Sequence, residues 1–233
     1  MSSTYLDLTN IVLRRLNQVE LTPSSFASAR GIHSAAKDAI IDSVRKINTQ
    51  KFKWPFNFTS GTQVLVPGQE SYPFPTDFRS ADWESFFIQK DSVYYTTRKL
   101  SQISKNEYYR YRKSQDDNES LGRDIPDFVF ELDALNFGVT PSPNLAYTLN
   151  YRYQLKNTEM SDFGDTCLIP SEYDYVIVDG AMYYMYMFLD NDQRAIATEK
   201  MFLDDLNYMT TILIPRDPYA YTGMIQKRDP YAR

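Results

Sequence analysis

The chain has 233 residues, 42% hydrophobic and 24% charged, with 25 Lys and Arg against 30 Asp and Glu for a formal charge of −5. This is the composition of a globular chain with a buried core, not of a disordered one, and its sign argues against a protein whose main task is gripping phosphates through counterion release. The opening MSSTYLDLTN has no basic region followed by an apolar run, and no window approaches the roughly 20 apolar residues of a membrane span. Cys167 is alone, which excludes an intrachain disulfide and a cysteine-based zinc site and fits folding in a reducing cytoplasm.

Aromatic residues make up 15% of the chain and include 19 Tyr. A tyrosine ring supplies contact area while its hydroxyl tolerates a wet edge, so this content suits either extensive interfaces or an aromatic core.

In residues 4–20, Tyr5, Leu8, Val12, Leu16 and Val19 recur at steps of three and four, which places them on one face of an amphipathic helix. LTPSSFAS interrupts it. Ser24 or Ser25 is positioned to cap a second helix reaching about residue 50, striped by Ile32, Ala36, Ile40, Val44 and Ile47. At Phe52 the period becomes two, with Phe52, Trp54, Phe56 and Phe58 alternating with Lys53, Pro55 and Asn57, the pattern of a strand or extended chain. TSGTQVLVPGQESYPFP reads as a hairpin, because Pro67 presets φ at the first turn position and Gly68 accepts the positive φ of a type II turn.

Strand-like runs follow at WESFFI (83–88), VYYTTRKL (93–100), DFVFEL (127–132) and AYTLNYRYQ (146–154), so the middle third is expected to be a mainly antiparallel sheet. A short helix is expected at 104–113, capped by Ser104 and containing Tyr108, Tyr109 and Tyr111. The polar run QDDNESLGRD (115–124) reads as an exposed loop.

After Pro170, SEYDYVIVDGAMYYMYMFL (171–189) is apolar on all sides, which marks a helix buried on more than one side, as core or as subunit interface. Tyr183, Tyr184, Tyr186 and Met187 are its candidate interface residues. Residues 192–214 read as a final amphipathic helix with Ile196, Phe202, Leu203, Leu206 and Leu213 inward and Pro215 as its stop. The tail beyond it repeats RDPYA at 216–220 and 228–232 and has no helical period. It is either a frayed terminus or an extended docking segment. In the second case Arg216, Asp217, Pro218, Tyr219, Tyr221, Arg228, Asp229, Pro230 and Tyr231 are the handles for a partner's groove or sheet edge.

Chemistry-bearing patterns are sparse. His33 is the single histidine and sits at a helix start beside Gly31 and Ser34, while GxxxxGK[ST], GxGxxG, HExxH and GxSxG are all missing. Carboxylates gather at Asp116, Asp117 and Glu119, at Asp190 and Asp192, and at Asp204 and Asp205. The DND of 190–192 opens like a calcium loop but lacks its glycine and closing glutamate, so these groups read as helix caps and solvated faces. Basic residues are dispersed, and no stripe marks a nucleic-acid groove. No catalytic, cofactor-binding or metal-ligating residue is assigned, and the chain is expected not to be an enzyme.

YLDLTNIVLRRLNQVELT, INTQKFKWPFNFTSGTQVLVPGQESYPFPTDF, FGVTPSPNLAYTLNYRY and IPSEYDYVIVDGAMYYMYMFLDND, in this order over nearly the whole chain, resemble the head-to-tail adaptor family of short-tailed bacteriophages. That family is also called tail tubular protein A or the gatekeeper-type adaptor. The expected fold is α+β: a helical bundle from N- and C-terminal helices, a central antiparallel β-rich insertion and an extended C-terminal tail. The expected divisions are a helix pair over 1–51, the insertion over 52–170, a second helix pair over 171–214 and the tail over 215–233.

The resemblance further implies a virion protein that forms a homo-oligomeric ring, a dodecamer, between the portal and the tail nozzle protein. DNA would pass through its lumen without specific binding, and the C-terminal extension would reach the portal. Assembly would take place in the host cytoplasm, with no membrane partner. Two other readings stand beside it: a neck or head-completion subunit of a long-tailed phage, and a virion-borne peptidoglycan hydrolase using one of the carboxylate clusters. A cytosolic DNA-binding module is disfavoured by the charge balance.

Overall fold

The computed structural model describes residues 3–50, 54–89, 97–116 and 123–214. The fold is mixed α+β, as expected, and divides into two compact units: Met1–Phe56 with Asn157–Arg233, and Asn57–Lys156.

The first unit is helical. Its opening helix, α1 (Tyr5–Arg15), begins in a capping box in which Thr4 Oγ1 accepts from the Asp7 amide at 3.2 Å and the Thr4 amide donates to Asp7 Oδ2 at 3.0 Å. Hydrogen bonds from the Thr4 side chain and backbone hold the Asp7 carboxyl below its usual range. The helix is shorter than its apolar stripe suggests, because Asn17 takes a left-handed φ of 55° and ends it, leaving Val19 80% exposed.

The expected second helix is two helices. Thr22, not Ser24 or Ser25, caps the single turn α2 (Pro23–Phe26), accepting from the Ser25 amide while Ser25 Oγ accepts from the Thr22 amide. Gly31, at φ 58°, then separates it from α3 (Ile32–Gln50). Ala36, Ile40, Val44 and Ile47 are buried along α3 as the stripe requires. His33 lies in its first turn, with Nε2 3.0 Å from the Val19 carbonyl oxygen.

Beyond α3 the alternating aromatic pattern becomes a strand only from Phe58 among the described residues. Phe52 and Lys53 lie outside the described residues, and Pro55–Asn57 is one 3-10 turn, favoured by the fixed φ of Pro55. Trp54 instead turns into the helical core, where its indole N–H donates to the Ile47 carbonyl at 3.1 Å.

The C-terminal helices are α5 (Asp174–Phe188), entered through a 3-10 turn at Ser171–Tyr173, and α6 (Asp192–Leu213), capped by Asn191 Oδ1 accepting from the Arg194 amide at 3.3 Å. The buried positions of α6 are Ala195, Phe202, Leu206 and Met209. Ile196, expected inward, is 68% exposed, because one residue past Ala195 is a rotation of about 100° away from the core. Helices from both ends of the chain share one core, including Leu8 and Val12 of α1, Ile40 and Ile47 of α3, Ile177 and Met185 of α5, and Phe202 of α6.

The second unit holds two four-stranded sheets. One has the order β1-β8-β3-β4 and the other β2-β7-β6-β5. The strands are β1 (Phe58–Val64), β2 (Ser71–Pro73), β3 (Phe78–Ile88), β4 (Arg98–Lys99), β5 (Ser101–Gln102), β6 (Phe128–Asp133), β7 (Asn136–Thr140) and β8 (Thr148–Leu155). All pairings are antiparallel except β5 with β6.

The turn at Pro67–Gly68 forms, with the Gln69 amide donating to the Val66 carbonyl at 3.0 Å and Gly68 at φ 80°. The hairpin does not. β1 spends its ladder on seven pairs with β8, and the turn carries the chain into the other sheet, where β2 pairs with β7. The Tyr72 hydroxyl braces that turn by donating to the Val66 and Gln69 carbonyls and accepting from the Val66 amide. Helix α4 (Lys105–Asp116) is capped by Ser104 as expected, with Ser104 Oγ accepting from the Glu107 amide and Glu107 Oε2 accepting from the Ser104 amide. Of the run expected as a loop, residues 117–122 lie outside the described residues, as do residues 93–96 of VYYTTRKL.

Both sheets contribute to one aromatic core. Phe137 of β7 lies 5.6 Å from both Phe86 of β3 and Tyr151 of β8, and Phe86 and Tyr151 stack at 4.8 Å. Two strand glycines face aromatic partners directly across the ladder, Gly61 opposite Tyr151 and Gly138 opposite Phe130. In each case a Cβ on the glycine would sit under 3.0 Å from the ring, so the ring occupies the space a side chain would fill.

Candidate assembly surface

Helix α5 is apolar on nearly every side, yet only part of it is buried, at Val176, Ile177, Val178, Asp179, Gly180, Ala181, Met182 and Met185. Gly180 lets this face approach α3 and α6, since a Cβ there would lie 2.3 Å from Ser43 Oγ and 2.8 Å from a Phe202 ring carbon. What remains of the helix meets the surface at its C-terminal end.

Tyr183 and Tyr184 are half-buried, with rings edge to face at 5.0 Å, and Tyr184 leans on the helical core. They border a cleft of about 260 Å³ with Lys46, Gln50 and Glu199. Burial first, then the Asp42 carboxylate, pushes the Tyr184 hydroxyl above its usual value. Tyr186 is half-buried, and the Arg194 guanidinium lies 5.8 Å from its ring centroid. Met187 is 50% exposed.

The exposed patch is larger than those four residues. Phe188 is 57% and Leu189 44% exposed at the corner where α5 ends, and the positive φ of Asp190 turns the chain into α6. Met201, Tyr208 and Ile212 are also exposed along α6. The run MYMFL continues past Met187, so the apolar character of Phe188 and Leu189 is legible in the sequence, whereas their exposure is not.

In the first half of α5, Asp179 is buried and has partners on α1 and α6. The Arg15 guanidinium donates to Asp179 Oδ1, and the Asp205 carboxyl is within hydrogen-bonding reach of Asp179. Burial first, then that contact and the Asp179 and Asp204 charges, raises the Asp205 carboxyl above its usual range. A carboxyl held more tightly protonated in the folded state contributes stability at low pH that is lost as pH rises through its raised value. Asp205→Asn keeps a hydrogen-bond donor toward Asp179 and cannot ionise. Denaturant unfolding between about pH 4 and pH 7 should therefore show the variant gaining on the wild type as pH rises; a constant difference would separate Asp205 from that pH dependence.

The other carboxylate clusters divide. Asn191 between Asp190 and Asp192 serves as a helix cap, and the Asp117 and Glu119 positions lie outside the described residues. No group of three or more His, Cys, Asp or Glu side chains poised for a metal is found among the described residues. No described helix is long and apolar enough to cross a membrane. Arg216, Asp217, Pro218, Tyr219, Tyr221, Arg228, Asp229, Pro230 and Tyr231 all lie outside the described residues.

Apolar and aromatic contact area, rather than a pocket of convergent titratable groups, dominates this end of the helical unit, which is the make-up of an interaction protein. The chain belongs to the SU10 adaptor protein family, which matches residues 3–224. It is accordingly a phage structural adaptor, a virion component that meets other head and tail proteins. The match takes in the first RDPYA copy, at 216–220, and stops short of the second, at 228–232. No curated protein matches the chain.

Proposed function

We propose that copies of this chain form a twelve-membered ring between the portal and the tail nozzle protein, continuing the DNA channel. The observation that carries this reading is the exposed apolar corner Met187, Phe188 and Leu189 on a member of an adaptor family. Scattered exposed apolar residues need no partner, but three consecutive ones at a helix corner are costly to leave in water and are placed to be covered. In the ring, Tyr183, Tyr184, Tyr186 and Met187 contribute to contacts between neighbouring copies.

The tail supplies the second contact. Arg216, Asp217, Pro218, Tyr219 and Tyr221, with their repeat at Arg228, Asp229, Pro230 and Tyr231, dock on the portal once packaging is complete. Ordering such a segment costs roughly 2–5 kcal/mol of the gross interaction energy. Linkage of the copies in one ring offsets this by raising the effective concentration of every further tail. The chain's net charge of −5 favours a lumen that DNA slides through without being held.

A chain ending at Leu213, which keeps α1 to α6 whole, tests the docking role. Pull-down on purified portal should retain the full-length chain and lose the truncated one. Equal retention of both would take the tail out of portal binding.

A further inference from the structure

Met201, Tyr208 and Ile212 of α6 are exposed, although each is apolar or aromatic. With roughly 3.6 residues per turn, the three fall within about 40° of one line along the helix, to one side of the core face marked by Phe202, Leu206 and Met209. Asp204 and Asp205 stand on either side of that line, and from Met201 to Ile214 the chain carries no Lys or Arg. The stripe is apolar along its length and negative at its margins, and its exposure means that no described element covers it.

The chain that follows argues for its occupant. Ile214, just past α6, is extended at φ −109° and ψ 93° and packs against the helical core, so the chain leaves the helix beside the bundle. Met201 lies thirteen residues back along α6, about 20 Å at the helical rise. The nineteen residues 215–233 span about 60 Å when extended, so after one reversal Tyr219, Tyr221, Met224 and Ile225 all come within range of the stripe.

Charge selects the same segment. Residues 215–233 hold Arg216, Lys227, Arg228 and Arg233 against Asp217 and Asp229, a positive excess that leaves residues 1–214 more negative than the chain's total of −5. A segment that mixes tyrosine and apolar side chains with cations matches an apolar line edged by carboxylates. Tethering favours the chain's own tail over a neighbour's, since a segment joined to its site by a short stretch meets it at a roughly millimolar effective concentration.

We propose that in the free chain the tail folds back over α6 and covers Met201, Tyr208 and Ile212, and that docking on the portal withdraws it and bares the stripe for a neighbouring copy. The inference rests on the tail-docking reading above and adds a regulatory step, in which ring contacts are withheld until the portal takes the tail.

Paramagnetic relaxation on the full chain tests it. A spin label on Gln226→Cys, in a chain carrying Cys167→Ala so that it has no other thiol, broadens the Met201 methyl signal of the free chain relative to the same sample with the label reduced. Tyr208→Ser with Ile212→Ser, both at exposed positions, abolishes the broadening, which a tail that was merely tethered would keep. Added unlabelled portal abolishes it too. With Cys167 intact, Ile225→Asp moves the Met201 methyl resonance and lowers the concentration at which the free chain self-associates in sedimentation.

An unbroadened Met201 signal, or broadening that survives the Tyr208 and Ile212 changes, overturns the fold-back and leaves portal docking standing. Broadening between label and methyl carried on different copies gives the stripe to a neighbour's tail and equally overturns it. Broadening that persists on the portal contradicts the release, and self-association unchanged by Ile225→Asp contradicts the masking. A free chain that shows the fold-back but is not retained on portal loses the docking reading and the release with it, while the covered stripe stands.

Discussion

Gly180→Val lowers the stability of the helical unit by about 3 kcal/mol, the upper end of what overpacking a close-packed core costs. Gly180 sits mid-helix in α5, where glycine is otherwise unfavourable by about 1 kcal/mol relative to alanine. The position tolerates that because a Cβ would lie 2.3 Å from Ser43 Oγ and 2.8 Å from a Phe202 ring carbon. Neither neighbour moves easily. Ser43 is fully buried and donates to the Ile177 carbonyl at 2.8 Å, which ties α3 to α5, and Phe202 is 2% exposed in the same core. Urea unfolding followed by helical circular dichroism measures the effect. A loss of under about 0.5 kcal/mol, the scale of a surface substitution, would mean that the helices separate without strain at this point.

Trp54→Ala is expected to cost about 4 kcal/mol, within the range for deleting a large buried aromatic side chain. Trp54 is fully buried, its ring lies nearly parallel to that of Phe56 at 5.5 Å, and its N–H donates to the C-terminal end of α3. Trp54→Phe separates the two contributions, keeping most of the apolar volume and losing the hydrogen bond, for a smaller cost of about 1–2 kcal/mol. Equal losses for the two variants, by the same unfolding measurement, would mean that the N–H, rather than the ring volume, supplies most of the stabilisation.

These two residues also mark where the sequence was informative and where it was not. Apolar stripes located α3 and α6, continuous apolar character located α5, and Ser104 marked the start of α4 as a cap residue, a role its reciprocal bonds with Glu107 fulfil. The same reasoning overran α1, because Asn17 stops the helix by backbone conformation while the side-chain pattern runs on to Val19. Trp54 sat in a pattern of alternating aromatics whose period is that of a strand, and a tertiary contact to Ile47 decides its placement instead.

In the sheets, a turn was legible but its partner strands were not. Pro67 and Gly68 specify a local bend, whereas the choice of β8 over β2 as partner for β1 depends on residues some ninety positions away. No sequence pattern marks β7, as NFGVT has a glycine at its centre that only the facing Phe130 ring explains. At the candidate surface, Met187 was legible as an apolar residue near a helix end, while the exposure of Phe188, Leu189 and Ile196 required knowing the phase of α6 and the turn at Asp190.

The ring itself is the central claim, and native mass spectrometry of the full-length chain mixed with purified portal tests it most directly, supported by negative-stain images of the same sample. The expected result is one species in which a single portal carries twelve copies of this chain as a second ring on its axis. Portal and chain that remain separate at every mixing ratio, or copies that bind without closing a ring, would contradict it.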